Sequence, residues 1–324
     1  MHRRPAPFRG HRRGGRPADR SPRLQAQRSP PGRRALIGEP RVVALGGGHG
    51  LAATLAAARR YAGEVTAIVS VADDGGSSGR LRRALGTLPP GDLRKCLVAL
   101  GDSDRVWTRA FEHRFAEGEL EGHALGNLVI SGLAEVTGDF LAAVAEAGRL
   151  VGAVGEVLPA TCGPVVLKAQ APDGVDVEGQ VAIGRAGPVT RVSVVPADPE
   201  VHVRALDALA RADQVVIGPG SLFTSVLAVV AVPALREALA RTRARVVYVC
   251  NLRPQVPETQ GFDVAAHVEA LVAHGVEVDV VVCDTAALPL GNPSPPVVDR
   301  RLARDDELAH DPARLAAVLE DLVR

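Results

Sequence analysis

Short apolar runs alternate with longer segments of helical periodicity along most of the chain. Five runs have the length and the β-branched content of buried strands: 41–45, 65–71, 214–217, 246–250 and 278–283. Four segments have the length and the pattern of helices: 51–60, 200–211, 264–274 and 311–323. Because buried strands that alternate with helices form parallel sheets, the pattern predicts a doubly wound, Rossmann-like α/β fold.

A different pattern interrupts this alternation at about 151–196. The segment is rich in Val, Gly and Pro, and it contains short alternating runs at 165–169 and 192–195. Such alternation is typical of half-buried strands. We therefore expect a β-rich insertion within a single Rossmann-like domain that extends over 41–324.

A glycine loop follows the first predicted strand. It consists of Gly46, Gly47, Gly48, His49 and Gly50, and the predicted helix at 51–60 comes directly after it. A strand, a glycine loop and a helix N-terminus aim free backbone N–H groups and the positive end of the helix dipole at an anion. The loop meets the dinucleotide-binding fingerprint only in part, so taken alone it is a weak signal.

The loop after the second predicted strand carries carboxylates, glycines and hydroxyls. Its candidate ligand-binding residues are Asp73, Asp74, Gly75, Gly76, Ser77, Ser78 and Arg80. Backbone N–H groups and serine hydroxyls can bind phosphate oxygens, and Asp73 and Asp74 could hold a ligand hydroxyl or a divalent cation such as Mg²⁺. A solvated turn is the alternative, since these residue types also form turns. Two such loops on adjacent strands favour a phosphate-bearing ligand.

Two further helix starts add charged and polar candidates. Within 88–100, Asp92 lies at a helix start whose first turn also carries Arg94 and Lys95, although Lys95 is equally well explained as a solvated surface charge. The second start, at 122–127, offers His123 and Asn127 to a ligand. A structural role is the alternative there, because lone histidines are more often structural than catalytic.

A third glycine loop follows the predicted strand at 214–217. It supplies Gly218, Gly220, Ser221 and Thr224, whose backbone N–H groups and hydroxyls suit a second phosphate or a sugar. Asn251 ends the next predicted strand, where a carboxamide could bind a base or a sugar. A turn former at a strand end is the alternative for Asn251.

Taken together, these segments resemble the YvcK family of bacterial proteins, which are labelled gluconeogenesis factors and share a fold with 2-phospho-L-lactate transferase. The resemblance rests on eight segments: 44–48, 71–80, 89–100, 122–127, 218–225, 248–252, 258–262 and 310–312. The departures are small. His49 stands where threonine is usual, Ala124 where serine also occurs, and Phe223 where tyrosine is frequent.

The resemblance implies a protein that binds a UDP-sugar, with UDP-N-acetylglucosamine as the first candidate, and that links carbon metabolism to cell-wall synthesis and cell shape. It leaves open an enzyme, a transferase of a phosphate-containing group with Asp73 or Asp74 holding Mg²⁺ and Arg94 or Lys95 on the diphosphate. No serine–histidine or metal-ligand spacing decides between these two classes. A dehydrogenase is a distant third, because the spacing places no proton-relay group.

Charge and composition narrow the partners. Residues 1–40 contain 11 arginines and two acidic residues, which predicts a disordered Arg- and Pro-rich extension, unless translation starts further along the chain. The extension carries a formal charge of +9, whereas the whole chain carries +1, so residues 41–324 carry about −8. A negative core argues against nucleic-acid binding by that part of the chain. The four cysteines lack CxxC spacing, and no apolar segment has the roughly 18–20 residues that span a bilayer. We expect a cytoplasmic protein without integral membrane contact, and a homo-oligomer stays open.

Overall fold

The computed structural model of the protein describes residues 39–323. The predicted disordered extension at 1–40 therefore lies outside the described residues, apart from Glu39 and Pro40. Ten strands lie in the described range: β1 (Arg41–Gly46), β2 (Glu64–Val69), β3 (Glu156–Pro159), β4 (Val166–Gln170), β5 (Asp176–Glu178), β6 (Arg191–Val195), β7 (Gln214–Ile217), β8 (Arg245–Val249), β9 (Val280–Cys283) and β10 (Val297–Asp299).

Twelve α-helices connect and flank these strands within the same range. They are α1 (Gly48–Ala58), α2 (Gly76–Leu85), α3 (Gly91–Leu100), α4 (Val106–Glu112), α5 (Leu125–Thr137), α6 (Phe140–Val151), α7 (Gln180–Ala186), α8 (Val203–Arg211), α9 (Leu227–Val230), α10 (Pro233–Arg241), α11 (Val264–Ala273) and α12 (Pro312–Val323). A π-helical turn at Leu222–Val226 runs directly into α9.

Among the described residues, seven strands form one parallel sheet in the order β10-β9-β8-β7-β1-β2-β3. This confirms the predicted Rossmann-like α/β fold. The central strands are apolar on both faces, and Val215, Val216 and Ile217 of β7 are fully buried. A strand of this kind is stable only when helices cover both faces of the sheet. Burying each such side chain contributes about 1.5–3 kcal/mol.

The chain reverses its direction across the sheet at β1. From β1 it proceeds to β2 and β3 on one side, and after the insertion it returns to β7 on the other side. Val43 of β1 is in register with Thr66 of β2 and with Val215 of β7. In open parallel sheets, ligands bind in the crevice outside the carboxyl ends of the strands at such a switch point. The loops after β1 and β7 border this crevice.

The helix after the first glycine loop begins earlier than predicted. α1 begins at Gly48, inside the loop, and not at Leu51. Residues 48–50 of the loop therefore form the first turn of α1. Gly48 has a φ of +65°, a left-handed conformation that favours glycine where the chain enters the helix. The first N–H groups of α1 therefore lie at the crevice.

The small antiparallel sheet has the order β5-β4-β6 and lies within the predicted insertion at about 151–196. Its alternation agrees with the prediction, because Leu167 and Val194 are buried whereas Ser193 is exposed. Two features differ from expectation. β3 pairs with β2 and so belongs to the main sheet, and α7 lies between β5 and β6.

In residues 39–323, no single helix is long and apolar enough to cross a membrane. The bent pair Leu222–Val230 and Pro233–Arg241 meets the requirements of length and composition only when its two parts are taken together. Leu222, Leu227 and Val229 of this pair are buried in the protein core.

Candidate functional site

The loops after β1 and β7 meet by direct backbone contact at the switch point. A Cβ atom added to Gly50 would lie 2.3 Å from the carbonyl oxygen of Pro219 and 2.8 Å from the Cα atom of Gly220. Thr54 of α1 adds a buried hydrogen bond, donated by its hydroxyl to the Gly218 carbonyl at 2.7 Å. Because only glycine permits this approach at position 50, the two loops form one continuous wall of the crevice.

A polar cavity of about 360 Å³ opens at this wall. Its lining consists mainly of glycines, hydroxyls, carboxylates and carboxamides: Gly47, Gly48, His49, Gly50, Asp73, Asp92, Lys95, Gln180, Gly220, Ser221, Thr224, Ser225 and Gln255. The residue before α1 is Gly47, and no side chain in the described range caps this helix. An uncapped helix start presents unpaired N–H groups and the positive end of the helix dipole. The cavity can therefore receive an anion at α1.

Asp92 and Lys95 form an ion pair beside Gly47. Lys95 Nζ lies 3.0 Å from Asp92 Oδ1, and the side chains of Lys95 and Asp92 are only 24% and 9% exposed. The other carboxylate oxygen, Asp92 Oδ2, would lie 2.7 Å from a Cβ atom on Gly47. The start of α3 thus places one cation and one anion against the glycine loop. Lys95 is the lysine that the cavity presents to an anionic ligand.

Asp73 enters the cavity wall from the loop after β2. Its Oδ1 accepts a hydrogen bond from the backbone N–H of Gly75 at 2.9 Å, which orients the carboxylate. Burial raises the pKa of Asp73 above its ordinary value, and the negative charge of Asp92 raises it further. Two carboxylates that line one cavity can accept hydrogen bonds from sugar hydroxyls or coordinate a divalent cation.

Asp74, in contrast, is turned toward the insertion. Its Oδ1 accepts the backbone N–H of Val181 in the first turn of α7 at 3.0 Å, and its Oδ2 would lie 2.4 Å from a Cβ atom on Gly179. The predicted metal pair of Asp73 and Asp74 is therefore divided, because only Asp73 lines the cavity. Within residues 39–323, no three His, Cys, Asp or Glu side chains cluster closely enough to hold a metal ion.

Ser77, His123 and Asn127 form a network that joins α2 to the start of α5. Ser77 Oγ lies 3.0 Å from His123 Nδ1 and accepts a hydrogen bond from Asn127 Nδ2 at 3.1 Å. Burial lowers the pKa of His123, and the positive charges of Arg80 and Arg114 lower it further. The three predicted ligand contacts thus bind one another.

The two candidate arginines also bind the protein backbone. Arg80 donates to the Glu121 carbonyl at 2.7 Å, and Arg94 donates to the Phe111 carbonyl at 3.2 Å. Arg94 is buried, and burial lowers its pKa. Of the charges proposed for a diphosphate, Lys95 lines the cavity and Arg94 does not.

Glu258 occupies the start of the π-helical turn after β7. Its Oε1 accepts the backbone N–H groups of Phe223 at 2.6 Å and Thr224 at 2.9 Å, and the Thr224 hydroxyl lies 3.3 Å from Oε2. Burial raises the pKa of Glu258. The carboxylate of Glu258 therefore already accepts the Thr224 N–H group and contacts its hydroxyl, the groups that the sequence analysis assigned to a second phosphate. Ser221 and Ser225 lie on the cavity wall beside this turn.

Asn251 fixes the backbone of the loop after β7. Its Oδ1 accepts the Gly220 N–H at 3.0 Å, and its Nδ2 donates to the Gly220 carbonyl at 2.9 Å. The Asn251 carboxamide, which the sequence analysis assigned to a base or a sugar, thus hydrogen-bonds the N–H and the carbonyl of Gly220. Asn251 contributes to the site mainly by holding Gly220 in place.

A second compartment of about 180 Å³ adjoins the first. The two share His49, Gly50, Gly220 and Gln255, and the rest of the second lining is more apolar: Ala53, Pro219, Asn251, Leu252, Arg253, Leu308, Ala309 and His310. His310 Nε2 donates to the Cys250 carbonyl at 3.1 Å. Burial lowers the pKa of His310 to about 4, so its ring is neutral near neutral pH. Partial burial and the charge of Lys95 also lower the pKa of His49.

The candidate residues from the sequence divide into two groups. Those that line a compartment are Gly47, Gly48, His49, Gly50, Asp73, Asp92, Lys95, Gly220, Ser221, Thr224 and Asn251. Those that line neither compartment are Gly46, Asp74, Gly75, Gly76, Ser77, Ser78, Arg80, Arg94, His123, Asn127 and Gly218. Most of the second group holds the loops in position through hydrogen bonds or close contacts, whereas Gly76 is exposed and has no atom within 4 Å of an added Cβ.

Among the residues at the candidate site that the sequence does not predict are Gln180, Gln255 and Glu258. Gln180 comes from α7 and donates from Nε2 to the Thr224 carbonyl at 2.9 Å, so the insertion supplies part of the wall. No local pattern marks Gln180 or Gln255. Glu258 lies in 258–262, a segment that carries the family resemblance, and that resemblance is the sequence feature that could have identified Glu258.

A larger cavity, of about 720 Å³, lies at the amino ends of β8 and β9, on the opposite side of the sheet from the switch-point crevice. Its lining includes Arg245 and Val246 at the start of β8, together with Glu277 and Asp279 before β9. Volume alone does not mark a ligand site, and parallel sheets bind ligands at the carboxyl ends of their strands. The switch-point crevice is therefore the candidate site.

Comparison with known proteins places these loops in a family. The sequence profile described as 2-phospho-L-lactate transferase CofD matches residues 42–317. The chain belongs to the CofD family. The matched range contains every strand of both sheets except the first residue of β1, and every residue that lines the two compartments.

Individual relatives confirm the resemblance predicted from the sequence. The gluconeogenesis factor of Bacillus subtilis (strain 168) is 42% identical over 238 residues, which cover 73% of this chain and 75% of the relative. A Mycobacterium tuberculosis relative, also named for gluconeogenesis, is 45% identical over 308 residues, or 86% and 89% of the two chains. The chain spans only 53% of a longer Nostoc relative.

A solved structure agrees in fold. The crystal structure of a UPF0052 family member from Bacillus halodurans superposes with a TM-score of 0.83 at 35% sequence identity. The match covers 87% of this chain and 98% of that protein.

Proposed function

We propose that the protein binds a nucleotide-linked sugar of the UDP-N-acetylglucosamine type at the switch point. The observation that carries the proposal is the uncapped start of α1, which opens into a polar cavity that continues into a more apolar compartment. A diphosphate-linked ligand has the same division, with charged phosphates and a hydroxylated sugar at one end and a flat base at the other. Ligand sites in proteins combine an apolar lining with a few placed polar groups in this way.

The lining suits each part of such a ligand. The N–H groups at the start of α1, with Lys95, suit the diphosphate, since helix starts and cations both favour anions. Asp73 and Asp92 suit hydroxyls of the sugar as hydrogen-bond acceptors. Leu252 and Leu308 supply apolar surface for the base in the second compartment.

For the cellular role, we propose a cytoplasmic regulator that links gluconeogenic growth to cell-wall synthesis and cell shape. The relatives that are named gluconeogenesis factors support the metabolic part of this role. A ligand such as UDP-N-acetylglucosamine would supply the connection to the cell wall, because it is a wall precursor.

A transferase of a phosphate-containing group is the second candidate, and the family description favours it. Such a reaction would use Mg²⁺ to stabilise charge that develops on the transferred group. Asp73 and Asp92 both line the cavity and suit this ion, whereas Asp74 is committed to α7. The two candidates share the site and differ in whether bound ligand is converted.

Calorimetric titration of the full chain separates these outcomes. The titrants are UDP-N-acetylglucosamine, other UDP-sugars, UDP and GDP, each with and without Mg²⁺, followed by chromatography of the ligand. We expect saturable binding of UDP-N-acetylglucosamine and recovery of intact ligand. Mg²⁺-dependent conversion would establish the transferase instead, and the absence of binding to any of these nucleotides would overturn both candidates.

A further inference from the structure

The two compartments join at four residues: His49, Gly50, Gly220 and Gln255. Three of these belong to the glycine loops and contribute mainly backbone or an exposed ring. Gln255 differs, because it comes from the segment after β8 and carries a long, uncharged carboxamide with hydrogen-bond donors and an acceptor. A ligand that occupies both compartments must pass this side chain.

The backbone of Gln255 is held firmly. Its N–H donates to the hydroxyl of Thr259 at 2.8 Å, and its carbonyl accepts the Thr259 N–H at 2.7 Å. Thr259 is fully buried. Earlier in the same segment, Asn251 binds both polar groups of Gly220. The backbone of Gln255 is therefore anchored to Thr259 in a segment that also contacts the loop after β7.

The oxygen of the Gln255 carboxamide, Oε1, is shielded from solvent and lacks a hydrogen-bond partner within residues 39–323. Buried side-chain oxygens in native proteins nearly always have a partner, and leaving one unpaired costs roughly 1–3 kcal/mol. Asn127 Oδ1 and Arg94 Nε also lack a partner in this range, but neither residue lines a compartment, whereas Gln255 lines both. A residue that turns to bind a ligand recovers the missing hydrogen bond.

We propose that Gln255 is a specificity-determining residue that hydrogen-bonds the ribose and first phosphate of the ligand at the junction of the compartments. This rests on the proposed function. Only a nucleotide-linked ligand would place its phosphates in the polar compartment and its base in the apolar one. The ribose then lies between them, beside Gln255. An uncharged amide there binds hydroxyls and phosphate oxygens without repelling either.

The test uses Gln255→Met, Gln255→Glu and a matched control, Gln260→Met, in the full chain. Methionine keeps the length of glutamine without its polar groups, glutamate adds a negative charge, and Gln260 is an exposed glutamine on the same segment. UDP-N-acetylglucosamine, UDP and N-acetylglucosamine 1-phosphate are titrated calorimetrically, and the melting temperature of each ligand-free variant is measured.

We expect Gln255→Met to weaken the binding of UDP-N-acetylglucosamine and of UDP by the same factor, roughly ten- to hundredfold, because it removes a hydrogen bond to a charged phosphate oxygen. Gln255→Glu should weaken both by more, through repulsion of the diphosphate. Binding of N-acetylglucosamine 1-phosphate, which lacks the ribose, should not change with Gln255→Met. Gln260→Met should bind like the wild type. The ligand-free Gln255→Met variant should melt no lower than the wild type, because it loses an unsatisfied polar group.

Two results would overturn the role of Gln255 alone. One is wild-type affinity of Gln255→Met for UDP-N-acetylglucosamine, and the other is a parallel loss of affinity and of several degrees in melting temperature, which indicates a structural residue. Wild-type protein that binds no nucleotide would overturn this inference together with the proposed function.

Discussion

The substitution Gly47→Ala probes the contact between the first glycine loop and the Asp92–Lys95 ion pair. Gly47 has an extended backbone, with φ of −167° and ψ of 171°, so alanine adopts this conformation without strain. The new Cβ atom would lie 2.7 Å from Asp92 Oδ2, whereas ordinary contacts begin at 3.4 Å. The carboxylate must therefore move by several tenths of an ångström. Asp92 is held by Lys95 at 3.0 Å and is mostly buried, so this movement disturbs the ion pair.

The expected magnitude follows from this geometry. Overpacking of this kind costs about 1–3 kcal/mol of unfolding free energy, and each kcal/mol lowers the melting temperature by roughly 2–4 °C in a chain of this size class. We expect ligand affinity to fall by about tenfold or more, equivalent to roughly 1.4 kcal/mol, because Lys95 moves and the methyl group screens the start of α1. The folded structure should survive.

The assay pairs calorimetric titration of UDP-N-acetylglucosamine with thermal unfolding of the full chain. Gly132→Ala is the matched control. Gly132 lies in α5 with no atom within 4 Å of an added Cβ, so alanine there should raise stability by about 0.5–1 kcal/mol and leave affinity unchanged. Gly48 is a less suitable position, because its φ of +65° adds backbone strain to any loss of binding. Wild-type affinity in Gly47→Ala would refute the assignment of an anion site to α1.

Three further predictions concern stability. Asp74→Ala should lower the unfolding free energy by about 0.5–2 kcal/mol in chemical denaturation, because the Val181 N–H at the start of α7 loses its acceptor. Asp74→Asn keeps an acceptor oxygen at this position, so it should lose much less stability. Glu258→Ala leaves the buried N–H of Thr224 and its neighbour unpaired, so we expect a loss of about 2–6 kcal/mol in the same assay; a loss below about 1 kcal/mol would contradict this role. His310 has a folded-state pKa of about 4, below its unfolded value, so its neutral form stabilises the fold fully above pH 6.5 and this stability is lost as pH falls toward 4. Unfolding free energy measured across this window should fall by at most about 1.4 kcal/mol per pH unit from this residue, and less steeply in His310→Gln.

The sequence predicts the sheet well because the main strands are continuous apolar runs. Strand β7 has four buried positions in a row, so its burial is visible without tertiary information. Strand β10, with three residues that are not fully buried, gives no such signal and was missed. The early start of α1 was missed for a different reason, since glycines in a loop do not reveal that they already form a helical turn.

The candidate site is predicted less completely, because a hydrogen-bonding residue near a glycine loop can bind a ligand or the protein. The local sequence of Asp74 and Asp73 is nearly the same, yet Asp74 binds α7 across 107 positions of sequence. Asn251 likewise binds Gly220. Gln180 reaches the wall only because the insertion folds back over it. Such partners are set by tertiary packing, which short-range patterns do not contain.

The most direct test of a nucleotide-sugar site at the switch point is hydrogen exchange of the full chain with and without saturating UDP-N-acetylglucosamine. We expect the ligand to slow exchange at backbone amides in 47–50 and 220–225, the two loops whose residues line the crevice. Exchange should not change in 239–246 and 275–279, the segments beside the larger cavity at the amino ends of β8 and β9. Protection confined to 239–246 and 275–279, or no protection in either region under saturating ligand, would contradict the assignment of the site to the crevice between β1 and β7.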